Sequence, residues 1–265
     1  MQFLLSGSRA IHYEARGLAK GKPVIVFINS LGTDFRIWDS VMAELGDVYA
    51  YIRHDKRGHG LSDAGTTPYS IDDHVDDVLQ LLDHLSISKA VVWGLSVGGL
   101  IAQGLYARRP DRVQALILSN TAHKIGNADM WNDRIDHIQR DGIAPLVDGV
   151  MERWFTPAFR RSDNGAYLGA RTMLARQDRN GYAATCAAIR DADFSEAAKT
   201  IAVPTLCVAG DSDASTPPDL VGSLSALIPD SRLAIIDHCG HIPCIEQPAA
   251  YALVARAFLT SLPEF

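Results

Sequence analysis

The chain has 265 residues, of which 47% are hydrophobic and 21% charged, a composition typical of a globular protein with one large core. Its formal net charge of −6 argues against binding to nucleic acid or anionic lipid, since both require a clustered positive surface. A small anionic substrate is not excluded, because one buried arginine can outweigh a distant net charge. The N-terminus lacks the features of a signal peptide, and no stretch approaches the ~20 apolar residues of a membrane span.

Six short apolar runs predict the strands of a buried, mostly parallel sheet. The clearest is Val24–Ile28, a continuous β-branched run typical of a strand that is covered on both faces. The other five lie at residues 49–52, 90–93, 115–118, 206–209 and 233–236. Helix-like stretches separate these runs, and this alternation predicts β-α-β units with right-handed crossovers.

Two of the helices have recognisable first turns. Ser70 is a candidate N-cap, and Asp72 and Asp73 follow it where carboxylates favour the helix dipole. Pro248 suits the first turn of a last helix. The apolar positions of the helix after Ser70 lie on one stripe at helical spacing: Ile71, Val75, Val78, Leu79, Leu82 and Leu85.

The alternation of strands and helices breaks between residues 122 and 193, a stretch rich in helix formers and bulky side chains. No Pro/Gly/Ser-rich linker flanks it. We therefore predict that residues 122–193, called the cap segment below, form a helical lid inserted into a core domain of residues 1–121 and 194–265. The predicted fold class is α/β, with a central sheet flanked by helices.

The cysteines are scattered along the chain and form neither a Cys-x-x-Cys pair nor a disulfide framework. They are Cys186, Cys207, Cys239 and Cys244. We expect free, mostly buried thiols, as in a cytoplasmic enzyme.

The strongest chemical signal is Gly-Leu-Ser-Val-Gly at residues 94–98, directly after the predicted strand 90–93 and before a helix-like stretch. A nucleophile on such a tight turn has a strained backbone, and the flanking glycines keep side chains away from neighbouring elements. The helix that follows supplies amide N–H groups where an oxyanion would form. We therefore predict that Ser96 is the nucleophile of a serine hydrolase.

A serine hydroxyl needs a base to take its proton, and His241 is the best candidate among nine histidines. It follows the predicted strand 233–236, so it lies at the carboxyl end of a strand, where open α/β sheets bind ligands. His238 is the nearest competitor.

The acid that orients this imidazole is expected in the loop after the predicted strand 206–209. Asp211 and Asp213 both lie there, and either could instead cap a turn. The chain order serine, aspartate, histidine requires an acid in this loop, and Asp213 lies deeper in it. We predict Asp213, with Asp211 as the alternative.

Two backbone amides are predicted to bind the oxyanion. Val97 directly follows the nucleophile, and its N–H faces the reacting carbonyl by the geometry of the turn. The second donor is expected in the loop after Val24–Ile28, where Leu31 is the candidate. No cluster with metal-ligand spacing is present, so neither a metal nor an organic cofactor is expected.

With these motifs in place, the sequence resembles the α/β hydrolases. Asp-Lys-Arg-Gly-His-Gly-Leu-Ser at residues 55–62 matches their Asp-x-Arg-Gly-x-Gly-x-Ser pattern. Gly210-x-x-Asp213 and Gly240-His241-x-Pro243 are similar to their acid and histidine loops. The resemblance covers essentially the whole chain, and it favours Asp213 over Asp211.

Within that superfamily the chain resembles the 3-oxoadipate enol-lactonases in the segments 29–33, 153–157 and 181–191. This resemblance implies opening of the 3-oxoadipate enol-lactone ring in bacterial aromatic catabolism, through an acyl-enzyme and without a cofactor. Other small-ester carboxylesterases, C–C hydrolases and perhydrolases would use the same triad, and a receptor that retains the triad is a non-enzyme alternative.

The implied substrate is a small anionic lactone, so a cation is expected in the pocket. Arg134, one helical turn from Trp131, is the first candidate, and we predict that both residues contact the substrate. Arg190 and Arg171 are the next candidates. An arginine in this segment could instead face water or pair with Asp133 or Asp136.

Overall fold

The computed structural model describes residues 1–18 and 21–263. Within these residues, eight strands form one sheet. They are β1 Gln2–Ser6, β2 Arg9–Arg16, β3 Val24–Ile28, β4 Ala50–His54, β5 Ala90–Leu95, β6 Val113–Ser119, β7 Thr205–Gly210 and β8 Arg232–Ile236. Their order across the sheet is β1-β2-β4-β3-β5-β6-β7-β8.

The sheet is parallel from β4 to β8, and the N-terminal hairpin adds two antiparallel strands. All six predicted apolar runs are strands, which confirms the predicted fold class. The hairpin β1–β2 was not predicted. Four of the five residues in β1 are at least partly exposed, so this edge strand lacks the apolar run of a strand covered on both faces.

Helices pack against the strands of this sheet. They are α1 Asp39–Leu45, α2 Ile71–His84, α3 Val97–Arg108, α4 Ala128–Asp141, α5 Val147–Trp154, α6 Gly165–Ala175, α7 Arg179–Asp191, α8 Ser195–Ala198, α9 Pro218–Leu227, α10 Pro243–Glu246 and α11 Pro248–Leu259. Ser70 caps α2 as predicted, because its hydroxyl accepts from the amide of Asp73 and the Asp73 carboxylate accepts from the amide of Ser70. Pro248 begins α11, also as predicted.

The core lies on both sides of the parallel strands. The residues of β5 are all buried, which explains why its sequence is a continuous apolar run. On this strand, the indole N–H of Trp93 donates to the hydroxyls of Tyr251, at 2.5 Å, and of Ser119, at 3.2 Å. These contacts fix the strand that leads to Ser96 against β6 and α11.

Helices α4 to α7 lie within the cap segment, and residues of α5, α6 and α7 pack on loops that leave the carboxyl ends of β3 and β4. The Cα of Gly181 on α7 lies so close to Gly58 that a Cβ at Gly58 would be 2.4 Å from it. A Cβ at Gly32 would meet Leu174 at 2.6 Å and Tyr182 at 3.0 Å. The assignment of residues 122–193 as a separate lid stays a prediction.

The four cysteines are free and buried, as expected. Among the described helices, none is both long and apolar enough to cross a membrane.

Candidate active site

Ser96 lies on a strained turn between β5 and α3. Its φ of 59° and ψ of −118° place a non-glycine residue at positive φ, a conformation that persists only where the surroundings enforce it. The two flanking glycines are required by close packing. A Cβ at Gly94 would lie 2.2 Å from the carbonyl oxygen of Gly98, and a Cβ at Gly98 would lie 2.1 Å from that of Ile28.

The backbone of Ser96 is bonded to the end of β6 and the loop that follows. Its amide donates to the carbonyl of Ser119 at 2.9 Å, and its carbonyl accepts from the hydroxyl of Thr121 at 2.7 Å. Between these two residues lies Asn120, which also has a positive φ, of 46°. Asn120 therefore lies at the end of β6, next to the turn that carries Ser96.

Asp213 and His241 are hydrogen-bonded to each other, with 2.8 Å between the Oδ2 and Nδ1 atoms. Both side chains are buried. The same carboxylate oxygen accepts from the Asn120 amide at 2.9 Å and the Thr216 hydroxyl at 2.7 Å. Its other oxygen accepts from the backbone amides of Ser215 and Thr216. Asp213 thus has a saturated set of donors, which holds it in one orientation.

Burial disfavours the ionised form of Asp213, but this effect is outweighed by the positive charge of His241 and by hydrogen bonds from His241, Asn120 and Thr216. The net result is a pKa below the usual value for an aspartate. Asp213 is therefore a carboxylate at neutral pH and can stabilise an imidazolium on His241.

The alternative acid and base of this region have other roles. Asp211 is exposed, and its carboxylate accepts from the backbone amides of His238 and Cys239, which holds the histidine loop. His238 is itself exposed and does not contact Asp213. These positions favour Asp213 and His241 as the functional pair.

The histidine loop is tied to the cap segment. The amide of His241 donates to the carbonyl of Trp154 at 2.8 Å, and the Gly240 carbonyl accepts from the Asn120 side chain at 3.2 Å. Glu246 accepts from the amide of Gly240 at 2.7 Å. Asn120 therefore contacts both the acid and the histidine loops while its neighbours hold Ser96. Over residues 1–18 and 21–263, no hydrogen bond joins the Ser96 hydroxyl directly to the His241 imidazole.

The two predicted oxyanion donors lie on segments in direct contact. Gly98, one residue after Val97, packs against the carbonyls of Ile28 and Asn29, which lead into Leu31. In the part of the chain that the structure describes, the amides of Leu31 and Val97 donate no hydrogen bond. Both residues are buried. Unpaired buried amides are rare, and they are the donors that an oxyanion requires.

Trp131 and Arg134 lie on α4 in the cap segment. The Arg134 guanidinium stacks 5.3 Å from the Trp131 ring centroid. The indole N–H of Trp131 donates to the Ile125 carbonyl at 2.7 Å, and its ring is buried. The structure therefore gives Trp131 a packing role beneath Arg134.

The charge of Arg134 acts on a second arginine of the cap segment, Arg153. Burial, together with the positive charge of Arg134, lowers the pKa of Arg153, against Tyr182 and Glu152. Burial raises the pKa of Tyr182 to about 12, although the charges of Arg134 and Arg153 oppose this. Among the described residues, neither guanidinium forms a salt bridge with a carboxylate. Two like charges without a counter-ion are typical of a site that binds an anion.

The other arginine candidates are paired. Arg190 forms a salt bridge with Asp191, and Arg171 forms one with Asp148. Sequence reasoning did not single out Arg153, in the last turn of α5, as a candidate cation, and it missed Asn120 and Thr216 around Asp213. Position after a predicted strand was the one available signal for Asn120, since it directly follows β6.

The described part of the chain offers no metal site. Across the described ranges, no group of three or more His, Cys, Asp or Glu side chains could hold a metal ion.

The sheet order, the serine turn and the bonded Asp-His pair define the class of protein. Residues 23–165 match the family model described as the alpha/beta hydrolase fold, and the chain belongs to this family of hydrolases. Its similarity to particular members extends over nearly all of its length. It is 36% identical over 250 residues to 3-oxoadipate enol-lactonase 2 of Acinetobacter baylyi, covering 94% of this chain and 93% of that protein.

Two further enol-lactonases are also similar to this chain over nearly its whole length. The 3-oxoadipate enol-lactonase 1 of the same organism is 35% identical, covering 91% of this chain and 90% of that protein. The crystal structure of the enol-lactonase from Burkholderia xenovorans LB400 superimposes with a TM-score of 0.94 and 35% identity, covering 98% of this chain and 100% of that one. The chain is thus an α/β hydrolase similar to enol-lactonases in sequence and structure.

Proposed function

We propose that this hydrolase opens 3-oxoadipate enol-lactone to 3-oxoadipate, as a cytoplasmic step of aromatic catabolism through the β-ketoadipate pathway, with Ser96 as the nucleophile. The observation that carries the chemistry is the 2.8 Å bond between Asp213 and His241, at the same edge of the sheet as the strained Ser96 turn. The substrate is supported by the enol-lactonase relatives and by the unpaired arginines of the cap segment.

In the first half-reaction, the Ser96 Oγ attacks the lactone carbonyl carbon while His241 Nε2 takes the hydroxyl proton. Asp213 accepts from the Nδ1–H and stabilises the imidazolium. The carbonyl oxygen gains negative charge as the tetrahedral intermediate forms. Among the described residues the amides of Leu31 and Val97 donate to no other group, which supports them as the donors to that oxygen.

Collapse of the intermediate breaks the bond between the carbonyl carbon and the ring oxygen. The ring oxygen leaves as an enolate, and the proton that His241 took from Ser96 is added to its carbon, which gives a ketone within the same acyl chain. A water molecule then attacks the acyl-enzyme, and His241 takes its proton. His241 passes this proton to the Ser96 Oγ as that oxygen leaves the acyl carbon, which regenerates the free enzyme, so that one water is consumed for each lactone opened.

The carboxylate of the substrate needs a positive charge close to it. The guanidinium groups of Arg134 and Arg153 would supply two such charges. Both act on the hydroxyl of Tyr182, whose ring lies against Gly32 in the loop that carries Leu31. Arg153 precedes Trp154, whose carbonyl binds the His241 amide. We infer that the cap segment, residues 122–193, acts as a lid that places the carboxylate end of the lactone under these arginines.

Purified protein should hydrolyse the enol-lactone far faster than p-nitrophenyl acetate, because only the lactone has an anionic group for the arginines of the cap segment. The measurement is kcat/KM for both compounds, with loss of the lactone followed by its ultraviolet absorbance and release of p-nitrophenolate by its visible absorbance. Comparable values for the two would contradict the lactonase assignment and indicate a general esterase.

Arg134→Ala and Arg153→Ala should each raise KM for the enol-lactone by about 10- to 100-fold, since a hydrogen bond to a charged group contributes about 1.5–3 kcal/mol. The KM for p-nitrophenyl acetate should change less than threefold. Arg171→Ala is the matched control, because Arg171 is exposed and already paired with Asp148. Equal effects of the Arg134 and Arg153 variants on the two compounds would show that these arginines do not bind the carboxylate.

A further inference from the structure

The loop that carries Leu31 is held by a buried lysine that the proposed mechanism does not use. Lys56 follows β4, and its side chain is fully buried. Its Nζ donates to the carbonyl oxygen of Ser30 at 2.8 Å. The hydroxyl of Thr33 donates to the same oxygen at 2.8 Å, and the Thr33 amide donates to it at 3.3 Å.

These three donors determine where the next amide points. The carbonyl of Ser30 and the N–H of Leu31 belong to one planar trans peptide, so they point in opposite directions. When the oxygen is held by Lys56 and Thr33, the N–H of Leu31 must face away from them. That amide is left unpaired among the residues that the structure describes.

The neighbouring amides of the loop are occupied. The Gly32 amide donates to the Nε2 of His59 at 3.1 Å, and the Thr33 amide closes a turn onto Ser30. Gly32 has a φ of 74°, which this kind of turn requires at its third position. Leu31 is thus the one residue from 31 to 33 whose N–H is available to a ligand.

We propose that Lys56 is a positioning residue for the oxyanion hole: its ammonium holds the Ser30 carbonyl, aims the Leu31 N–H at the reacting oxygen and polarises the shared peptide so that this N–H donates more strongly. The assignment rests on the proposed function, since it requires an oxyanion at that amide.

Stability does not account for a lysine at this position. Burial lowers the pKa of Lys56 to about 7, although Asp55 and Asp34 oppose this. No carboxylate of the described residues forms a salt bridge with its ammonium. A buried charge without an ionic partner destabilises a fold, and an apolar residue of similar volume is often more stable there. A lysine that aims an amide explains why the charge is there.

The test compares Lys56→Met with Thr33→Val, which removes the second side-chain donor to Ser30. Lys22→Met is the control, because Lys22 also donates to a backbone carbonyl, that of Asp47, but lies before the opposite end of β3. Three quantities are measured for each variant: kcat and KM on the faster of enol-lactone and p-nitrophenyl acetate, the inhibition constant of an aryl trifluoromethyl ketone, and the Tm at pH 6.

Loss of an oxyanion donor lowers kcat by about 10²- to 10³-fold, so misaiming one should lower it by about 10- to 100-fold. We expect this in Lys56→Met, with KM within threefold of wild type, the ketone bound about 10- to 100-fold more weakly, and an unchanged or higher Tm. Thr33→Val should change kcat in the same direction by a smaller factor, and Lys22→Met should match wild type.

Full activity in Lys56→Met would overturn the proposal, and so would a loss of kcat with a lower Tm and unchanged ketone binding, which would show a structural role alone. The wild type separates this failure from failure of the proposed function. The ketone forms its adduct with a serine nucleophile, so a wild-type enzyme that the ketone does not inhibit would refute the serine mechanism, and the assignment of Lys56 with it.

Discussion

Ser96→Ala is expected to lower kcat by about 10⁴- to 10⁶-fold, in line with the loss on removing the nucleophile of a serine hydrolase. No other hydroxyl lies on the strained turn between β5 and α3, within residues 94–98. The substitution removes one oxygen atom and leaves the backbone bonds to Ser119 and Thr121, so the fold and substrate affinity should be retained. Single-turnover kinetics would measure the loss of rate, and equilibrium binding of the lactone would measure the retained affinity.

Ser223→Ala is the control, because its hydroxyl is exposed and bonds only to the Leu220 carbonyl on α9. It should keep wild-type kinetics. The serine mechanism would be refuted if Ser96→Ala kept activity within tenfold of wild type. Mass spectrometry offers an independent check, since a fluorophosphonate should add to the peptide that contains Ser96 in the wild type and not in the variant.

Asp213→Asn is expected to lower kcat by about 10⁴-fold, with little change in KM. The asparagine oxygen can still accept from the backbone amides of Ser215 and Thr216, so the loop should keep its shape. It carries no charge to stabilise an imidazolium, however, and its amide can donate to Nδ1 and leave His241 in the wrong tautomer to take a proton. Steady-state kinetics at pH 7 to 8 would measure the effect.

Asp211→Asn is the matched control, since Asp211 lies in the same loop and accepts backbone amides without contacting His241. It should lose less than about tenfold in kcat. If the Asp211 variant were the more damaged of the two, Asp211 would be the functional acid and the assignment of Asp213 would be wrong.

Much of the site could be predicted from the sequence because its parts are local. The turn at residues 94–98 needs glycines at positions 94 and 98 because the neighbouring backbone leaves no room for a Cβ atom. The structure shows this close contact at both glycines. Asp213 and His241 each follow an apolar strand, and parallel strands end at one edge of the sheet. Their meeting could therefore be predicted from the order of the strands.

Other parts of the site depend on contacts between distant segments. The charge of Arg134 acts on Arg153, and among the described residues Arg153 forms no salt bridge with a carboxylate; neither fact is visible in the local sequence. In the sequence, Asn120 is only a polar residue after a strand. In the structure, its side-chain amide donates to Asp213 of the acid loop and to the carbonyl of Gly240 in the histidine loop. The assignment of Trp131 as a substrate contact stays a prediction; its ring is buried, and its indole N–H donates to Ile125 within the cap segment.

By itself, the sequence determined the parallel sheet, the helices and the residues of the proposed triad, because apolar periodicity and turn chemistry act over a few neighbouring residues. Only the tertiary structure decided the antiparallel hairpin, the interacting charges of Arg134 and Arg153, and the position of Lys56 behind Leu31. Those features depend on burial and on charges that come from distant parts of the chain. The free energy of burying or placing a charge is set by the packed fold, so no single segment of the sequence determines it.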